Sequence, residues 1–180
     1  VNPMGTKVYV ESNDMATGNG TVSVIDTATN KVTATVNVGS YLYGIAITPD
    51  GRKVYVSKEY VSNDGNNTVS VIDTSTNSVT ATVPVGSYPY GVAVNPAGTK
   101  VYVVNSVSNT VSVIDTSTDS VTATVPVGGS PQALGHFIGE KTVEQKQSPK
   151  TSRKGSMKTP GFETIYGVVS LLAVFLHKRK

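Results

Sequence analysis

The chain contains no cysteine and no tryptophan. The first absence excludes a disulfide framework and a thiolate metal site. It leaves the compartment open, because many surface proteins lack disulfides. Histidine occurs only twice, at His136 and His177, so clusters of imidazoles for metal binding or acid–base work have little to be built from. Charged residues make up 15 % of the chain, and they divide unevenly. Residues 1–139 hold six basic side chains against nine acidic ones, a net −3, whereas residues 140–180 hold nine against three, a net +6. The basic character of the whole therefore belongs to the tail. The N-terminal part has no basic face of the kind nucleic-acid binding needs. A long hydrophobic run is also missing. Twelve uncharged residues from Ile165 to Leu176 fall short of the roughly 20 that span a bilayer as a helix.

What is present is repetition. Thr21-Val22-Ser23-Val24-Ile25-Asp26-Thr27 recurs at Thr68–Thr74 and Thr110–Thr116, with the aspartates 47 and then 42 residues apart. Each copy lies inside a longer unit of Lys-Val-Tyr-Val, a polar loop, Thr-Val-Ser-Val-Ile-Asp-Thr, and Val-Thr-Ala-Thr-Val-x-Val-Gly. Short β-branched runs repeating every 40-odd residues predict four-stranded blades standing side by side. In the second unit Lys53–Val56 and Thr68–Asp73 read as strands. Within Thr68–Asp73, Val69 and Val71 share one face while Ser70 and Ile72 share the other, which suits a strand covered on both sides. Val79, Ala81, Val83 and Val85 are predicted to share one face of the next strand. Pro84 and Pro126 place that strand at a sheet edge. Val92-Ala93-Val94, small and apolar, fits the crowded innermost place. The fold class is all-β: a partial β-propeller of about three four-stranded antiparallel blades. A disordered linker and a short C-terminal hydrophobic helix are expected to follow it.

The Thr-Val-Ser-Val-Ile-Asp-Thr, Val-Thr-Ala-Thr-Val-Pro-Val-Gly and Gly-Val-Ala-Val-Asn-Pro-x-Gly segments, with Val101-Tyr102-Val103-Val104-Asn105, resemble the YVTN family of β-propeller repeats over residues 1–138. The resemblance implies an extracytoplasmic propeller of the kind found in archaeal surface-layer and cell-surface proteins and in bacterial surface proteins. The missing tryptophan sets the chain apart from arrays with a Trp-Asp signature. Pro131–Gly139 departs from the repeat and is expected to be a closing inner strand. Asn2-Pro3-Met4-Gly5 matches Asn95-Pro96-Ala97-Gly98 in mid-array, so the chain reads as an N-terminally truncated fragment. Three blades cannot close a ring, since propellers need about 4–8; an open arc prone to self-association is expected.

The tail divides in two. Residues 140–159 are basic and lack apolar periodicity, which predicts a disordered linker. Residues 160–180 run from Pro160-Gly161-Phe162 through the uncharged stretch to His177-Lys178-Arg179-Lys180. This tripartite layout resembles the PGF-CTERM signal of archaeal surface proteins. It implies processing near Pro160, Gly161 and Phe162 by an archaeosortase and attachment to a membrane lipid. A plain membrane anchor, with the basic end cytoplasmic, is the alternative.

Candidate sites are few. Asp26, Asp73 and Asp115 repeat strictly, but an Asp before Thr fixes a turn through local N–H bonds. They also fall on separate blades, where no single ion can gather them. No catalytic, cofactor or metal residue is predicted. His136 reads as structural, although a channel-facing place is open to it. Tyr41, Tyr43, Tyr88 and Tyr90 flank the crossovers into the inner strands and are the candidate rim for contacts with sugar or protein; packing across blade boundaries is the alternative. Asn19 and Asn66 head Asn-x-Thr glycosylation sequons. The function expected is a non-enzymatic cell-surface or surface-layer protein, membrane-anchored through its C-terminus. Its partners would be other surface proteins or glycans, with no nucleic acid. The alternative is an extracytoplasmic propeller enzyme, lyase or quinoprotein-like, whose active-site blades lie outside this fragment.

Overall fold

The computed structural model describes residues 1–14, 16–39, 41–58 and 67–133. The chain divides into two units, Val1–Val143 and Glu144–Lys180, and the second lies wholly outside the described residues. The expected linker, the expected helix and His136 therefore lie outside them too, as does the expected closing strand beyond Ala133.

Among the described residues eleven strands form three antiparallel sheets. The first holds β1 (Lys7–Asn13), β2 (Gly20–Asp26) and β3 (Lys31–Gly39). The second runs β4 (Leu42–Ile47), β5 (Lys53–Lys58), β6 (Thr68–Asp73) and β7 (Ser78–Pro84) in spatial order. The third repeats this with β8 (Pro89–Val94), β9 (Lys100–Asn105), β10 (Thr110–Asp115) and β11 (Ser120–Pro126). Two sheets thus have the four strands the repeat predicts, while the first has three among the described residues.

The sheets pack face to face because their central strands are apolar on both sides. Val54, Val56 and Ile72 of the second sheet meet Tyr9, Val22, Val24 and Val36 of the first. Tyr55, Val69, Val71 and Val83 point the other way, into Val92, Val101, Val103 and Ile114 of the third. Thr68–Ile72 are all buried, as the two-faced reading of that strand requires. The inner strands β4 and β8 press together, whereas the outer strands β3, β7 and β11 barely touch. Gly44 permits the approach: a Cβ there would lie 2.8 Å from Tyr90 O and 3.3 Å from Val92 N. Sheets that converge at one edge and splay at the other form the arc of a partial β-propeller.

The outer strands correct the expectation for Val79. Val71 pairs with Ala81 but Ile72 pairs with Val79, so a bulge at Thr80 breaks the alternation. Side chains of paired residues share a face, which turns Val79 away from Ala81 and Val83 and leaves it 37 % exposed. The same bulge occurs in the other two sheets. In each, a threonine hydroxyl donates to the carbonyl across it: Thr33 to Val24 O, Thr80 to Val71 O and Thr122 to Val113 O, at 3.2–3.3 Å. The repeated Val-Thr-Ala-Thr encodes a bulge rather than a regular edge.

The Ile-Asp-Thr end of each middle strand fixes the rim. Asp26, Asp73 and Asp115 accept backbone N–H bonds from Thr29, Ser75 and Ser117 at 2.8–2.9 Å. These bonds, with those from the side chains of Thr29, Ser75 and Ser117, lower the three carboxyls below their ordinary value; the side-chain bond is the largest cause in each. The following threonines donate to Gly5 O, Gly51 O and Gly98 O at 2.7–2.8 Å, tying this turn to the inner loop of the same sheet.

Candidate functional site

Two rims bound the arc. One carries the hairpin turns just described. The other carries the β1–β2 and β9–β10 loops and the crossovers between sheets, and it holds the tyrosines.

On the turn rim, adjacent sheets are clamped together. Lys53 Nζ lies 2.7 Å from Asp119 Oδ2 and donates at 2.7 Å to Thr116 O. Tyr55 donates its hydroxyl to Asp119 Oδ1 at 2.8 Å. Burial, then the bond to Asp119 and its charge, push the Tyr55 phenol far above its ordinary value. Asp119 lies in the left-handed region (φ 48°), as do Asn77 (φ 51°) and Asn30 (φ 54°) at the same turn position, a conformation Asn and Asp tolerate well. The clamp was not foreseen in the sequence. Its signal is the tyrosine that recurs as Tyr9, Tyr55 and Tyr102 in each Lys-Val-Tyr-Val.

On the opposite rim, Tyr43, Tyr88 and Tyr90 come together across the second and third sheets. Ring centroids are 5.5 Å apart for Tyr43–Tyr88, 5.6 Å for Tyr43–Tyr90 and 6.4 Å for Tyr88–Tyr90; the last pair is nearly parallel at 9°. All three are half-buried. Tyr41 is half-buried at the first crossover and is not part of the cluster. Tyr41 (φ 49°), Tyr88 (φ 60°) and Ser130 (φ 50°) occupy equivalent left-handed positions. For a bulky side chain this conformation is rare and persists only where neighbours enforce it. Here asparagines enforce it: Asn67 Oδ1 accepts from Tyr88 N at 3.1 Å and Asn109 Oδ1 from Ser130 N at 2.7 Å. Neither was assigned this role from the sequence, although both directly precede the repeated threonine.

Two cavities adjoin the cluster. A mostly apolar one of about 240 Å³ follows the inner strands, lined by Tyr43–Ile47 and Tyr90–Val94. A second, of about 450 Å³, opens on the rim between Tyr88, Tyr90, Ser106, Val107, Asn109, Ser130 and Gln132. Among the described residues no group of three or more His, Asp or Glu side chains converges as a metal site.

At the first interface Glu11 is half-buried with Oε2 lacking a partner, and burial raises its carboxyl. Lys58, lowered by burial, donates to Val38 O at 3.1 Å. Asn19 is exposed in the β1–β2 loop, next to buried Gly20. Asn66, Pro160, Gly161 and Phe162 lie outside the described residues. No helix among the described residues is long and apolar enough to cross a membrane.

The family model described as lactonase, seven-bladed β-propeller, matches residues 4–127. The chain belongs to this propeller family. A PGF-CTERM motif matches residues 159–180, so this is a propeller with an archaeal-type C-terminal sorting signal, which marks a membrane-anchored surface protein. No curated protein matches the chain. Among solved structures, the propeller is similar to hydrazine synthase of Kuenenia stuttgartiensis, with 28 % identity and a TM-score of 0.62 over 73 % of this chain and 36 % of that one. The Dos1 propeller matches with 18 % identity and a TM-score of 0.55, over 68 % and 32 % of the two chains. Apo AztD from Citrobacter koseri matches with 18 % identity and a TM-score of 0.54, over 68 % and 33 %. The last two likenesses concern the fold alone. The chain spans about a third of the length of each of these structures.

Proposed function

We propose that the chain is part of a non-enzymatic cell-surface protein of the YVTN or surface-layer type. In this reading the propeller is a rigid platform for contacts with other surface proteins or glycans, and the C-terminal segment tethers it to the membrane. The observation that carries the reading is the joint presence, in one chain, of propeller blades at residues 4–127 and a sorting motif at residues 159–180. Between them residues 140–159 act as a basic spacer. Cleavage near Pro160, Gly161 and Phe162 would then hand the mature protein to a lipid. Asn19, exposed beside the tyrosine rim, is the sequon we expect to be glycosylated.

Mass spectrometry of the mature C-terminus in the source cell tests the tether. We expect the terminal peptide to end close to Phe162 and to carry a lipid mass. A recovered Lys180 would overturn the processing step.

A second reading has one observation in its favour. The likeness to hydrazine synthase stands at 28 % identity, and it suggests an enzyme whose reacting groups lie on other blades. Catalysis traced to residues on those other blades in a longer form of the protein would support it against the non-enzymatic reading.

A further inference from the structure

The rim cavity has a lining with a definite chemical character. Its walls are two tyrosine rings, two serines, one asparagine, one glutamine and one valine. None of these carries a charge at neutral pH. Among the described lining residues a phosphate or carboxylate would find no cation and an ammonium group no carboxylate, so an ion would lose hydration without a partner there in return. A purely aliphatic ligand fits no better, because Val107, 66 % exposed, is the one aliphatic wall. What remains is a neutral molecule with an apolar face and a polyhydroxyl edge. A pyranose ring has both. Its C–H face lies against aromatic rings, while its hydroxyls exchange hydrogen bonds with amides and hydroxyls that donate and accept alike.

The geometry is prepared before a ligand arrives. Tyr88, Asn109 and Ser130 all stand in left-handed backbone positions, and such conformations gather at ligand clamps. The Asn67 and Asn109 side chains hold two of those positions. Ser106 fixes the far wall by donating to Pro131 O at 2.5 Å. Tyr43 contacts both Tyr88 and Tyr90, which supports their rings from the second sheet. A volume of about 450 Å³ lies within the roughly 300–1,000 Å³ usual for small-ligand sites. We propose that the rim cavity between Tyr88, Tyr90, Asn109, Ser130 and Gln132 binds a neutral sugar unit of a glycan.

The proposal rests on the surface-contact reading and narrows it to one ligand class. The full 180-residue chain in detergent, mixed with methyl hexopyranosides, N-acetylhexosamines and neutral disaccharides, tests it by saturation-transfer NMR. We expect transfer to the sugar C–H protons, together with a change in tyrosine emission that no tryptophan obscures. Gln132→Ala, at an exposed position outside every strand, is expected to weaken binding about tenfold without lowering Tm. Tyr90→Leu is expected to abolish the emission change. The idea fails if no neutral saccharide in the panel shows transfer, or if Gln132→Ala and Tyr90→Leu both bind as the parent does. It also fails if only an uncharged peptide, or only a sialylated or sulfated glycan, binds in the cavity. A lipid-linked, surface-exposed protein that ignores sugars would overturn this proposal while leaving the tether intact. An untethered protein that still binds them would do the reverse.

Discussion

Asp119 on the turn rim joins the third sheet to two side chains of the second. It receives the Tyr55 hydroxyl and the Lys53 ammonium at once, with the Lys53 and Asp119 side chains only 28 % and 17 % exposed. Asp119→Ala leaves a fully buried tyrosine hydroxyl without its acceptor, so we expect a loss of about 1–3 kcal/mol in urea unfolding. Asp119→Asn keeps a neutral acceptor for the Tyr55 hydroxyl and should lose less. Glu11 makes the opposite case. Burial raises its carboxyl above the ordinary 4.5, so the folded state favours the protonated form. The contribution of that form is fully present below about pH 4.5 and is lost as pH rises through the folded value. Glu11→Gln should therefore raise Tm at pH 7 and lose that advantage in acid. An equal gain at both pH values would contradict the assignment. Neither residue stood out in the sequence. A lone Glu in a strand and an Asp in a turn have no pattern of their own; their roles come from what the neighbouring sheet places against them.

At the level of elements, the inner strands decide how closely the sheets converge. Gly44 faces Tyr90 O and Ser57 Oγ with no room for a Cβ. Gly44→Val should part β4 from β8 and cost about 1–3 kcal/mol, the usual range for overpacking. The tyrosine cluster would be disturbed with it, and this should be visible in near-ultraviolet circular dichroism. An unchanged tyrosine spectrum and stability would sink the close-packing account. Strand identity and order followed from the repeated β-branched runs, and Pro84 and Pro126 correctly marked the outer edge. The bulge escaped that reading. Val-Thr-Ala-Thr alternates as well in a regular strand as in a bulged one, and only pairing with Val71-Ile72 tells which residue is extra.

The unit Val1–Val143 is an arc whose two end sheets both leave valines exposed among the described residues, Val10 (40 %) and Val32 (58 %) on the first and Val125 (46 %) on the third. Val125 of β11 and Val127 just beyond it stay 46 % and 40 % exposed, and Lys100 and Tyr102 repeat the Lys53–Tyr55 half of the clamp. We expect the isolated chain to sediment as more than its 18.8 kDa monomer, since exposed valines beside half a clamp invite a further sheet. Val125→Glu should return it to the monomer. A parent chain that is monomeric at high concentration would contradict this expectation.

The sequence by itself determined the all-β repeat, the four-strand rhythm, the two-faced middle strand and the sorting motif. These are properties of period and composition, and they survive without knowledge of what lies next door. Only the tertiary structure decided which side chains work together. The Lys53–Asp119 clamp joins residues 66 apart. The tyrosine cluster and its cavity join two crossovers and a β9–β10 loop from different repeats. A repeat specifies each blade locally, but the contacts between blades depend on the angle at which one sheet leans on the next, and no single unit of sequence contains that angle.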